Sequence, residues 1–110
     1  MCVSLRSIKE AIESTSRKVV PGLLELVNLY CNLTLRSNYL EVLTSNPEYI
    51  VEILKKLYTP EIAELVVREV FITPIVSITG KGDPRRLAEL AIRDPIMFRE
   101  ELKKLLVTLS

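Results

Sequence analysis

The amino-acid sequence predicts an all-α fold, a compact bundle of six or seven short helices with proline-started corners. Three observations carry that expectation. Five prolines sit directly behind Asn, Thr or Asp: Asn46-Pro47, Thr59-Pro60, Thr73-Pro74, Asp83-Pro84 and Asp94-Pro95. Four of these pairs read as helix starts, because a polar oxygen at the N-cap accepts from an orphan backbone N–H and proline at the next position needs no donor. Between the corners, apolar residues recur at spacings of three and four, the signature of a helix with one buried face. The one run rich in β-branched residues, 70–79, has no strand partner elsewhere in the chain. At 110 residues the natural count is one domain, 1–110.

The elements follow in order. Ser7 and Glu10 fit a capping box that opens a helix over residues 8–18, with Ile8, Ala11, Ile12 and Val19 as a thin apolar face. Pro21 pushes its predecessor out of the helical region, so the helix ends by Lys18. A second helix runs from Pro21 to about Arg36. Glu25, Asn28, Asn32 and Arg36 form one narrow polar stripe on it, and apolar residues cover most of the rest. A helix apolar over so much of its circumference is either the central helix of the fold or half of an oligomer interface.

Ser37-Asn38 opens a short helix from Tyr39 to about Thr44. Asn46-Pro47 opens an amphipathic helix to Tyr58, with Ile50, Ile53, Leu54 and Leu57 inward. Thr59-Pro60 opens the next, to about Val70. Residues 70–79 are ambiguous, since Pro74 forbids a regular central strand and the run is too short for periodicity to decide. A short helix after Pro74 is the favoured reading. Gly80-Lys81-Gly82 is a loop. Asp83-Pro84 opens a helix to Arg93, and Asp94-Pro95 opens the last, to about Val107.

Two internal echoes accompany this pattern. Residues 47–57 resemble 95–105, and Ala63-Glu64-Leu65 resembles Ala88-Glu89-Leu90. The offsets differ and the order is reversed, so they do not define an array with one period. What remains is a helix-corner-helix style loosely like helical-repeat packing.

Composition narrows function. Leu, Ile and Val supply 39 of 110 residues, more than one small core readily hides, which points to self-association or a partner surface. The net charge of +1 gives no global attraction to nucleic acid or an anionic membrane. No apolar stretch reaches membrane-spanning length, and Met1 to Lys9 does not read as a signal peptide, so the expected location is cytoplasmic. The chain has no His, the commonest general base and metal ligand, and Cys2 and Cys31 are far apart, so neither a zinc site nor a cofactor is expected. The two cysteines read as an N-terminal thiol and a core thiol. The absence of Gln beside abundant Glu, Lys and Arg is a thermophile-like composition.

Chemistry candidates are few. The carboxylates fall at helix starts or on wet faces rather than in convergent pairs, so the chain does not read as an enzyme. Glu25, Asn28 and Asn32 could line a polar pocket, face water, or set a helix-helix register. Residues 53–67 resemble a helix-turn-helix, yet the second helix presents Glu61, Glu64 and Glu69 against a single Arg68. Tyr30, Tyr39, Tyr49 and Tyr58 fall on separate helices, as edge residues would.

Two candidate surfaces result. Leu23, Leu26, Val27, Tyr30 and Leu33 form a partner interface on the second helix, with a homo-dimer or another protein as the occupant. Lys81, Arg85, Arg86 and Arg93 form a basic corner that nucleic-acid phosphates could meet at a helix N-terminus. The first makes the protein a helical protein–protein interaction module, and the second makes it a small nucleic-acid-associated subunit.

Overall fold

In the computed structural model, which describes residues 5–107, the chain is all-helical: α1 (Leu5–Val19), α2 (Leu23–Leu35), α3 (Tyr39–Ser45), α4 (Pro47–Leu57), α5 (Pro60–Val66), a π-helical stretch (Val67–Ile72), α6 (Thr73–Thr79), α7 (Pro84–Arg93) and α8 (Pro95–Val107). Since α5, the π stretch and α6 follow one another without a break, these elements form seven helical rods. No strand occurs among the described residues. The radius of gyration is 12.6 Å, close to the roughly 13 Å of a compact 100-residue domain.

The proline corners form as the local chemistry dictates. Thr59 accepts from the N–H of Ile62 at 3.4 Å, Asp83 from Arg85 at 3.1 Å and Asp94 from Met97 at 3.2 Å. Asn46 precedes α4 without a side-chain cap. Asn38 opens α3 with a reciprocal pair: its Oδ1 accepts from the Glu41 N–H at 2.9 Å, and its Nδ2 donates to Glu41 Oε1 at 3.1 Å. Thr73-Pro74 is the exception, because both residues lie inside a continuous helical course.

That course is the centre of the molecule. Proline inside an α-helix lacks a donor, and its ring clashes with the carbonyl four residues back, here that of Val70. The wider π stretch relieves the conflict. It brings the Thr73 N–H onto the carbonyl of Arg68, five residues back, and the helix continues through Pro74 to Thr79. The ambiguous run 70–79 is therefore helical, and it does not break near Ile72. Val66, Val67, Val70, Phe71, Ile72, Pro74 and Ile75 are all buried, so this rod is covered on several sides, with α1 and α7 packed against it. It takes the central place that the sequence pattern had offered to α2, which packs on α1, α3 and α4 along one side.

Three other boundaries differ from the sequence expectation. Helix α1 already includes Leu5, so Ser7 lies within it and does not cap it. Its buried stripe is Ile8, Ile12 and Ser16, while Val19 is exposed. Pro21 lies in a turn that precedes α2. There Gly22, at φ +85°, is the N-cap, in a left-handed conformation that glycine adopts without a Cβ penalty. At the other end of α2, Arg36 adopts φ +54° as the cap and is not helical.

Helices α4, α5, α7 and α8 pack as two adjoining hairpins, with α4 against α8 and α5 against α7. The sequence echoes fall on these facing partners. Ile50 and Leu54 of α4 answer Phe98 and Leu102 of α8, and Ala63 of α5 answers Ala88 of α7, all of them buried. The reversed order of the echoes is the order in which two hairpins meet. Arg99 of α8 binds Glu48 at the start of α4 at 2.7 Å, and Lys55 donates to the carbonyl of Ile92 at the end of α7 at 3.2 Å.

Candidate functional site: the bare face of α2

At 100° per residue eleven of the thirteen residues of α2 fall on three faces, with Thr34 and Leu35, both exposed, in its last turn outside them. Leu23, Leu24, Val27 and Cys31 point into the core. Glu25, Asn28 and Asn32 form the polar face, and Arg36 continues its line beyond the last turn. Leu26, Leu29, Tyr30 and Leu33, at successive spacings of three, one and three, form a third face that is apolar and uncovered. Leu33 is 74% exposed, Leu29 53%, and Leu26 and Tyr30 38% each. A lone exposed leucine is ordinary, but a stripe with helical spacing along one rod is a continuous apolar strip.

The sequence pattern places Leu23 and Val27 on this surface as well. They are 3% and 0% exposed and belong to the core. Leu26, Tyr30 and Leu33 remain on the bare face. Leu29, not named among the interface candidates, completes the stripe between them. It could have been found from spacing alone, since it falls three residues after Leu26 and four before Leu33. Other large apolar side chains are exposed elsewhere, Ile62 and Leu65 on α5 and Ile96 and Met97 on α8, but these are pairs rather than a stripe of this length.

The polar face of α2 borders a cleft of about 310 Å³ between α1 and α2, closed at one side by Tyr39. Its polar groups hold three helices together. Asn28 Oδ1 accepts from the Tyr39 N–H at 2.9 Å, which fixes the first residue of α3 against α2. The Tyr39 hydroxyl donates to Glu13 Oε2 of α1 at 3.3 Å. Burial, with the Glu13 charge adding to it, pushes the Tyr39 phenol well above its ordinary range. Asn32 Nδ2 returns to the carbonyl of Asn28. The stripe therefore sets the position of α3 on α2, the register role that a polar residue between helices can take. Cys31, on the core face, is buried, and burial pushes its thiol upward. Cys2 lies outside the described residues.

Two of the four basic residues at the corner have carboxylate partners. Arg86 pairs with Glu101 of α8 at 3.7 Å, and Arg93 with Glu89 at 2.8 Å. Arg93 closes α7, about 12 Å along the axis from Arg85. The N-terminus of α7 already holds a carboxylate, that of Asp83. Lys81 and Arg85 remain exposed beside it.

Among the described residues, no group of three or more His, Cys, Asp or Glu side chains gathers as a metal site. No helix among them is long and apolar enough to cross a membrane. Comparison with protein-family models, with characterised proteins and with solved structures finds no match.

Proposed function

We propose that the protein is a helical protein–protein interaction module that self-associates through the bare face of α2. The observation that carries this reading is the stripe Leu26, Leu29, Tyr30 and Leu33, held exposed on a rod whose opposite side is anchored in the core. Such a stripe has the a/d-like spacing with which one helix meets another. Covering it removes apolar surface from water at roughly 25 cal/mol per Å². The rod is already folded, so little of that gain is spent on ordering it.

Size-exclusion chromatography with light scattering over a hundredfold concentration range tests the reading. The wild-type chain is expected to move from monomer to dimer. Leu33→Glu, at an exposed position, is expected to remain monomeric, with the melting curve that the wild-type chain has at the dilute, monomeric end of the range. A wild-type chain that stays monomeric throughout would refute the proposal.

A further inference from the structure

From the placement of charge on α2 we infer that the occupant of its bare face is a second copy of this chain, bound with the two α2 helices antiparallel about a two-fold axis near Leu29 and Tyr30. The inference rests on the interaction reading above and specifies its partner and geometry. Glu25 and Arg36 are the only charged residues between Lys18 and Glu41. Both are exposed, and neither pairs with another described residue. They lie along the same edge of the apolar stripe, one at each end of the helix, about 16 Å apart along the axis.

A two-fold axis perpendicular to the helices brings like edges together and reverses their direction. It therefore sets Glu25 of each copy beside Arg36 of the other, forming the same ion pair twice, as an isologous interface requires. About this axis Leu26 meets Leu33 of the second copy, while Leu29 and Tyr30, on opposite edges of the stripe, each lie beside their own counterpart. Antiparallel helix dipoles favour this arrangement as well. A parallel pair would put the two copies of this edge on opposite sides of the seam and leave all four charges unpaired. The pattern is thus complementary to itself in one orientation only.

Charge exchange and disulfide trapping test the geometry. Glu25→Arg and Arg36→Glu are each expected to weaken dimerisation about tenfold, since each replaces two exposed ion pairs with two repulsions. The double exchange is expected to restore it. Restoration is a stringent readout, because both substitutions oppose the helix dipole and cannot rescue each other by stabilising α2. For trapping, in a Cys2→Ser background, Leu29→Cys is expected to form a disulfide with itself across the axis. Leu33→Cys should pair with Leu26→Cys but not with itself, because its own copies lie about 10 Å apart along the helices. Self-trapping at Leu33→Cys, or single charge exchanges without effect on a wild-type dimer, would overturn the antiparallel pair while leaving self-association standing. A strict monomer would overturn the interaction reading itself.

Discussion

Tyr39 shows how one buried side chain can tie stability to pH. Its backbone N–H is held by Asn28 and its hydroxyl by Glu13, so it joins α3 to both α2 and α1. Burial first, and the Glu13 charge second, raise the phenol above its ordinary value of 10.0. In the unfolded chain the proton leaves near that value, while the folded chain keeps it. Above pH 10 the unfolded state therefore binds fewer protons than the folded one, and stability falls as pH rises. Below that value the contribution is fully present. Urea unfolding between pH 8 and 11.5 should show this alkaline loss. Tyr39→Phe should flatten it, at a cost of about 0.5–1.5 kcal/mol at pH 8 for the lost hydrogen bond. An equally steep alkaline loss in the variant would rule out Tyr39 as its source. The part of this site legible in the sequence was the polar stripe itself. Its partner was not, because Tyr39 lies beyond a turn whose direction local chemistry does not specify.

At the scale of elements, the contact of α4 with α8 depends on one charged pair set among apolar neighbours. Arg99 binds Glu48 at 2.7 Å, with both side chains partly buried, and the other carboxylate oxygen, Glu48 Oε1, is buried without a partner. Removing the guanidinium leaves the whole carboxylate short of partners. Arg99→Met is therefore expected to destabilise the fold by about 1–3 kcal/mol in urea titrations. Adding Glu48→Gln should recover part of that loss, because the neutral amide is cheaper to leave half-solvated. A double variant no better than the single one would show that Arg99 acts through packing alone. From the sequence, Glu48 reads only as an acidic residue suited to a helix N-terminus. The pairing joins residues far apart in the chain, and no local pattern contains it.

At the scale of the whole molecule, the aliphatic surplus is divided unevenly. One continuous core draws on every helix from α1 to α8, and the rod around the π stretch gives it Val66, Val67, Val70, Phe71, Ile72 and Ile75. Much of the remainder lies on α2, which leaves Leu26, Leu29, Tyr30, Leu33 and Leu35 exposed. If folding and association are linked through this face, stability depends on protein concentration by mass action. The urea midpoint of the wild-type chain should rise with concentration, while that of Leu33→Glu should not. A wild-type midpoint constant across a hundredfold range would separate folding from association.

The sequence by itself determined the helical class, the positions of the corners and the apolar face of most helices. Those features depend on caps, proline geometry and 3.6-residue periodicity, all of which act over a few neighbouring residues. It also showed that α2 has more apolar circumference than a single contact needs. Only the tertiary structure decided how that surplus is shared, with Leu23 and Val27 in the core and Leu26, Leu29, Tyr30 and Leu33 in the open. It also decided that the helix through Pro74, rather than α2, is central. Periodicity marks which side of a helix is apolar, but coverage depends on which other helices arrive there. That is settled by packing between segments distant in the chain.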